Sequence, residues 1–224
     1  MIGFRIYELA ERVAPEWVEK FKTMPVANVS DCMSRMEAGG ASLRPMHAGG
    51  VLAGPAFTVK TRPGDNLMVH KALAMAQAGD VIVVDAGGDL TNAIIGEIMT
   101  ATAQRKGLAG IIIHGAIRDS GEIGRANFPV YAAGVTHRGP YKDGPGEINV
   151  PVSFGGMIIQ PGDLILGDED GCLCIPRDEV SAVYAATTAK NAAEAKTMED
   201  IANDRLDTSW IDRTLAERNC EYVR

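Results

Sequence analysis

The sequence predicts an α/β fold built in layers, with helices at its C-terminal end. Three observations carry this. Continuous β-branched runs, Val81-Ile82-Val83-Val84 and Ile111-Ile112-Ile113, alternate with segments of helical periodicity. Twenty-five glycines and eleven prolines supply turns between short elements. From Ile148 to Ile175 the pattern changes to short strands separated by Gly, Pro and Asp, so the fold is layered rather than purely doubly wound.

Taken in order, Pro15 to Met24 places Trp17 and Phe21 at helical spacing, and Ser30-Asp31 is expected to cap a second helix running to about Met36. Val51 to Val59 reads as a strand and Pro63-Gly64-Asp65 as a turn. Asn66 to Gln77 reads as a helix whose buried face carries Leu67, His70, Leu73 and Ala74. The strand at Val81 ends in the polar loop Asp85-Ala86-Gly87-Gly88-Asp89, and a helix is expected from Ile94 to Lys106, stopped by Gly107. The strand at Ile111 delivers His114-Gly115-Ala116-Ile117-Arg118-Asp119 and then a short helix. Helices between buried strands imply parallel crossovers, and ligands bind at the loops after the strand C-termini. Strands follow at Ile148–Phe154, Met157–Gln160, Leu164–Leu166 and Cys172–Ile175. An Ala-rich charged helix is expected from Arg177 to about Ala202, and a shorter one around Trp210 to Arg218.

Composition narrows the function. At 224 residues and 46% apolar, the chain can bury one substantial core. A net charge of −7 without a basic stripe argues against nucleic acid as a ligand. Met1 to Lys22 is interrupted by Arg, Glu and Lys, so it resembles neither a signal peptide nor a membrane span, and a cytoplasmic protein is expected. Cys32, Cys172, Cys174 and Cys220 lack zinc-ligand spacing and read as buried thiols, with Cys172 and Cys174 on one strand face. The sequence shows no dinucleotide fingerprint, phosphate loop or zinc-protease motif.

The chemical signal lies in two segments. Gly96-Glu97-Ile98-Met99 lies near a helix start, where unpaired N–H groups favour an anion such as a carboxylate. Gly115-Ala116-Ile117-Arg118-Asp119 brings a guanidinium that can bond a carbonyl, beside a carboxylate that can hold a hard cation. Taken singly, each also reads as an ordinary helix start or a structural ion pair. Together, with Arg118 twenty-two positions after Gly96, they resemble the RraA-like family, which includes the 4-hydroxy-4-methyl-2-oxoglutarate and 4-carboxy-4-hydroxy-2-oxoadipate aldolases. Pro63-Gly64-Asp65-Asn66, Phe128-Pro129-Val130, Ile148-Asn149-Val150-Pro151-Val152 and Gly155-Gly156-Met157 are similar to family segments in family order. So are Pro161-Gly162-Asp163, Asp168-Glu169-Asp170-Gly171 and Cys174-Ile175-Pro176.

The resemblance implies an α-β-β-α sandwich of the swivelling β/β/α type over residues 1–176, and a helical extension over 177–224 that packs on a neighbouring subunit of a homotrimer or homohexamer. It implies a pyruvate-releasing aldolase dependent on Mg²⁺ or Mn²⁺, with oxaloacetate decarboxylase activity. The amides of Gly96, Glu97, Ile98 and Met99 would bind the substrate carboxylate, Arg118 the 2-oxo group, and Asp119 the metal. Glu97 stands where these aldolases commonly carry Asp, and Glu194 corresponds to a carboxylate reaching the metal waters from another subunit. The base that takes the C4 hydroxyl proton is left open between waters held by Glu97 and by Glu194. A Schiff-base route through Lys60, Lys71 or Lys106 ranks low because none lies in the two loops. His70 and His114 read first as core or rim residues. The other reading the resemblance implies is a protein-binding regulator of ribonuclease E. A methyltransferase is disfavoured, because no Gly-rich nucleoside-binding loop follows the first strand.

Overall fold

A computed structural model describes residues 2–36 and 39–223, which divide into two compact units, 1–187 and 188–224. The fold is mixed α/β. Its first elements are β1 (Phe4–Ile6), α1 (Pro15–Phe21), α2 (Val26–Cys32), β2 (Arg44–Pro45), β3 (Leu52–Thr61) and α3 (Leu67–Met75). There follow β4 (Val81–Asp85), β5 (Ala93–Ile95), α4 (Glu97–Arg105), β6 (Gly110–Ile117), α5 (Ser120–Ile123) and β7 (Val130–Val135). The remainder comprises β8 (Gly146–Ile148), β9 (Val152–Phe154), β10 (Met157–Ile159), β11 (Leu164–Asp168), β12 (Gly171–Ile175), α6 (Val180–Ala202) and α7 (Ser209–Glu217).

The main sheet runs β1-β8-β3-β4-β6-β7-β2, with β3, β4, β6 and β7 parallel. β3 belongs to two sheets: Leu52–Pro55 pair antiparallel with β11, and Ala56–Lys60 pair with β4. Because β3 is covered on both faces, nearly every residue in it is buried. Three apolar clusters define the layers. One side of the main sheet packs on α3 and α4 through Val59, Val69, Ile94, Met99 and Ile113. The other side packs on β9, β10 and β12 through Val83, Ile112, Phe154, Met157 and Cys174. Beyond it, Leu164, Leu173 and Ile175 meet Phe21, Val29 and Val183. The resulting order of layers is helix, sheet, sheet, helix.

Several elements differ from the expectations of the sequence. Ser30-Asp31 lies in the last turn of α2 rather than before it. Pro25 precedes the helix, and the Val26 N–H donates to Asp168 Oδ2 at 2.9 Å, so a distant strand supplies the cap. The buried face of α3 is Met68, Val69, Ala72 and Leu73, which leaves His70 exposed. Ile94 and Ile95 belong to β5 beside β6, and the helix begins only at Glu97. The run Ile148–Phe154 is two strands, broken where Asn149 turns to a φ of 55°. β7 extends the parallel sheet through residues not anticipated as a strand. Cys172 and Cys174 are buried as expected, and burial pushes the Cys172 thiol up to about 12; Cys32 is only partly buried and Cys220 is exposed. Among the described residues no helix is long and apolar enough to cross a membrane.

Candidate active site

Two loop segments meet at the C-terminal edge of the parallel strands. β6 ends at Ile117, so Arg118 and Asp119 emerge where ligands bind in open α/β sheets. β5 pairs with the end of β6, and Gly96 follows β5 as the N-cap of α4. The Arg118 N–H donates to Ile95 O at 3.0 Å, which locks one segment to the other.

At Gly96 the constraint is one of space. Its φ of −149° is open to any residue, but a Cβ would stand 2.3 Å from Asp119 Oδ2 and 2.9 Å from Arg118 Cγ. The missing side chain lets the Arg-Asp pair lie against the helix start. The Glu97 N–H donates to Asp119 Oδ2 at 2.9 Å, and Arg118 Nε stands 3.7 Å from the same oxygen. Asp119 holds a φ of 56°, a left-handed conformation that Asp tolerates better than most residues. Such backbone strain recurs where a side chain must be aimed.

The amides of the first turn of α4 are not equivalent. Glu97 N–H is engaged by Asp119, and Met99 N–H closes on Gly96 O at 3.1 Å. Ile98 N–H has no acceptor among the described residues. An incoming carboxylate therefore finds the positive end of the helix and at least one open donor.

Beside these groups lies a cavity of about 140 Å³, large enough for a small oxo acid. Gly96, Ile98, Met99 and Arg118 line one part of it. Asn66, just before α3, and His70 of α3 line another, with Pro140 and Lys142 from the loop before β8. Arg118 and Lys142 bring positive charge, and among the described residues no carboxylate lines the cavity, although the whole chain carries −7. Asn66 is buried; its Nδ2 donates to Ile94 O at 2.8 Å, while its Oδ1 has no partner among the described residues. His70 is held below the ordinary imidazole pKa by desolvation and by the Lys142 ammonium, which favours the neutral ring.

The loop carrying Lys142 is fastened by Asp65. The buried carboxylate accepts N–H bonds from Leu67 at 2.9 Å, Asp143 at 2.7 Å and Gly144 at 2.9 Å. Asn92 Nδ2 donates to Gly139 O, and the Ala93 N–H donates to Arg138 O. Asp65, Asn66 and Lys142 stand by the cavity although no chemical role was assigned to them from the sequence; the signals there are the Pro63-Gly64-Asp65-Asn66 segment and the loop from Val135 to Gly146, whose conformation the sequence does not determine.

Of the anticipated site residues, the structure brings Gly96, Glu97, Ile98, Met99, Arg118 and Asp119 together. The Glu97 side chain is exposed and is not among the groups lining the cavity. Glu194 belongs to the unit of residues 188–224, where Lys190 Nζ pairs with its Oε1 at 2.9 Å. Among the described residues, no three His, Cys, Asp or Glu side chains gather to hold a metal ion.

These features define a mixed α/β protein with an arginine, a carboxylate and a helix N-terminus meeting at the ends of parallel strands. The chain belongs to the RraA-like (Aldolase/RraA) family, which it matches over residues 26–174. It is 40% identical over 177 residues to a protein of Halalkalibacterium halodurans provisionally named a 4-hydroxy-4-methyl-2-oxoglutarate aldolase; the match covers 79% of this chain and 84% of that one. A Thermus thermophilus 4-hydroxy-4-methyl-2-oxoglutarate aldolase is 39% identical over 112 residues, covering 50% of this chain and 68% of its own. Among solved structures, a Pseudomonas syringae pv. tomato protein superposes with a TM-score of 0.78 at 26% identity, covering 88% of this chain and 92% of that one. The RNA-processing inhibitor RraA from Thermus thermophilis superposes with a TM-score of 0.63 at 34% identity, covering 68% of this chain and 92% of its own.

Proposed function

We propose that this protein is a divalent-metal-dependent aldolase that cleaves a 4-hydroxy-2-oxo acid to pyruvate and a second oxo compound. Substrates of the type are 4-hydroxy-4-methyl-2-oxoglutarate and 4-carboxy-4-hydroxy-2-oxoadipate. The observation that carries the reading is the meeting of Arg118, Asp119 and the open first turn of α4 beside one cavity.

The chemistry explains the grouping. Breaking the C3–C4 bond leaves pyruvate enolate, and charge develops on the 2-oxo oxygen. Arg118 would supply a cationic donor to that oxygen, and the first turn of α4 would orient the neighbouring carboxylate. Oxaloacetate loses CO₂ to give the same enolate, so decarboxylation is expected as a second activity. Asp119 fits the part of sole protein ligand to Mg²⁺ or Mn²⁺. Its side chain is 40% exposed, and both of its close contacts use Oδ2, which leaves Oδ1 available. Small hard cations accept one or two carboxylates with water and substrate completing the shell. Such an ion supplies Lewis-acid stabilisation of the enolate oxygen. The reading gives Glu97 and Glu194 the orientation of waters at that ion, Glu194 acting from a neighbouring subunit of a homotrimer or homohexamer.

Pyruvate release from 4-hydroxy-4-methyl-2-oxoglutarate and from oxaloacetate, measured with EDTA and then with added Mg²⁺ or Mn²⁺, tests the proposal. Metal-restored pyruvate is expected from both. The likeness to the RNA-processing inhibitor supports a second reading, a protein-binding regulator of ribonuclease E without catalysis. No turnover of either substrate above the uncatalysed rate would favour it.

A further inference from the structure

A second cavity lies at the opposite edge of the parallel strands from Arg118 and Asp119. Asp80 and Ala109 line it, each the residue just before its strand, β4 or β6, begins. Its volume is about 600 Å³, within the roughly 300–1,000 Å³ of small-molecule sites. One wall is the start of α1, with Pro15 and Val18, and another is the start of β3, with Ala53 and Pro55. We propose that this cavity binds an uncharged, mainly apolar small molecule that bears a carbonyl oxygen. The proposal is independent of the aldolase reading.

The apolar part of the ligand follows from the core. Val13, Val18 and Ala53 belong to the third apolar cluster and also line the cavity, so the cavity is an open end of that core. An apolar body seated there takes more of the cluster's surface out of water. The floor is made of small residues and is fixed. The Gly79 N–H donates to Gly107 O at 2.8 Å and the Ala109 N–H to Asp80 O at 2.9 Å, which joins the two turns. A Cβ at Gly54 would stand 2.3 Å from Gly79 O, so β3 lies directly against them. α1 is anchored elsewhere, through buried Phe21 against the Tyr184 ring and through the Val13 N–H, which donates to Gly162 O at 2.8 Å. These anchors set the position of α1 independently of the cavity.

The polar part follows from Arg12. Its Nε and Nη2 donate to Oδ1 and Oδ2 of buried Asp80 at 2.8 and 3.0 Å. Its Nη1 has no acceptor among the described residues. A guanidinium is a donor only, so what it can still bind here is an oxygen. Charge then sets the class of ligand. Lys22 Nζ pairs with Glu19 Oε1 at 2.5 Å, so each cation lining the cavity already has its carboxylate. A carbonyl oxygen accepts from Arg12 without adding charge, whereas a carboxylate would bring an uncompensated one beside Asp80.

The probe is prodan, a neutral propionyl dimethylaminonaphthalene with a single carbonyl, titrated into the full chain. Saturable, blue-shifted emission is expected, with shifts of the Gly79, Gly107 and Ala109 amide resonances. Dimethylaminonaphthalene lacks the carbonyl and should bind about tenfold more weakly, the share of one hydrogen bond to a charged group. Val51→Trp and Ala78→Trp extend an indole over the cavity from exposed positions. Each should weaken prodan binding about tenfold by overfilling the site, with the melting temperature nearly unchanged. Absence of saturable binding, resonance shifts confined to other residues, or wild-type affinity in both variants would overturn the site. Equal affinity without the carbonyl, or tighter binding of anionic anilinonaphthalene sulfonate through the same resonances, would overturn the class of ligand. Pyruvate release enters none of these readings, so failure here and failure of the aldolase reading are distinguishable.

Discussion

At Gly96 the constraint is contact with Asp119 and Arg118 rather than backbone angle, which separates effects on activity from effects on folding. A Cβ there would push into the Asp119 carboxylate and the Arg118 side chain, whose side chains are 40% and 43% exposed and can swing away. Gly96→Ala should therefore lower the melting temperature little while reducing turnover by ten- to a hundredfold, since misplacing a reacting group by about 1 Å costs on that order. A thermal melt together with steady-state kinetics measures the two effects separately. Arg118→Ala removes a charged donor from the developing oxyanion and should cost about 10²–10³-fold in both cleavage and decarboxylation. Asp119→Ala should abolish the metal-stimulated part of turnover; a variant with the wild-type response to Mg²⁺ would rule out Asp119 as the ligand.

At the scale of elements, the cavity depends on how α3 and the loop before β8 are held together, and Asp65 does this with three backbone N–H bonds from an unexposed carboxylate. Asp65→Ala leaves those donors without their acceptor, so a loss of about 3 kcal/mol is expected in chemical denaturation, with weaker substrate binding as the loop carrying Lys142 loosens. Unchanged stability and KM would show that water replaces the carboxylate. This clamp also explains what the sequence could and could not reveal. The strands at Val81 and Ile111, and the loop bearing Arg118 and Asp119, were legible because β-branched runs ending in polar residues have few other readings. Ile94 and Ile95 read as helix in the sequence because a short apolar run looks alike in either state; only pairing with β6 decides it. The face of α3 differs from the sequence expectation for a related reason. Counting Leu67, His70, Leu73 and Ala74 gives one plausible stripe, and packing selects the adjacent one. That small rotation turns His70 from a core residue into a cavity residue. Lys142 belongs to the loop from Val135 to Gly146, whose conformation cannot be read from the sequence because it depends on hydrogen bonds to Asp65, 77 residues before Lys142.

For the whole molecule, the question is what the last residues contribute. All three apolar clusters draw on residues no later than Tyr184, and α7 buries none of its own. Within residues 188–224, Met198, Ile201, Leu206, Trp210 and Ile211 are exposed, more large apolar surface than an isolated helix pair gains by showing to water. A chain ending at Thr187 keeps every cluster and should fold, with a melting temperature within about 5 °C of the full chain unless subunit contacts contribute to it. If Glu194 works in a neighbouring subunit's site, the same truncation must do two further things at once: lower turnover, and shift the assembly to smaller species in sedimentation velocity. A truncated protein that is fully active and assembles as before would exclude Glu194 from the chemistry and place it on Arg118, Asp119 and α4. Loss of assembly with full activity would instead show that the extension joins subunits without completing their sites.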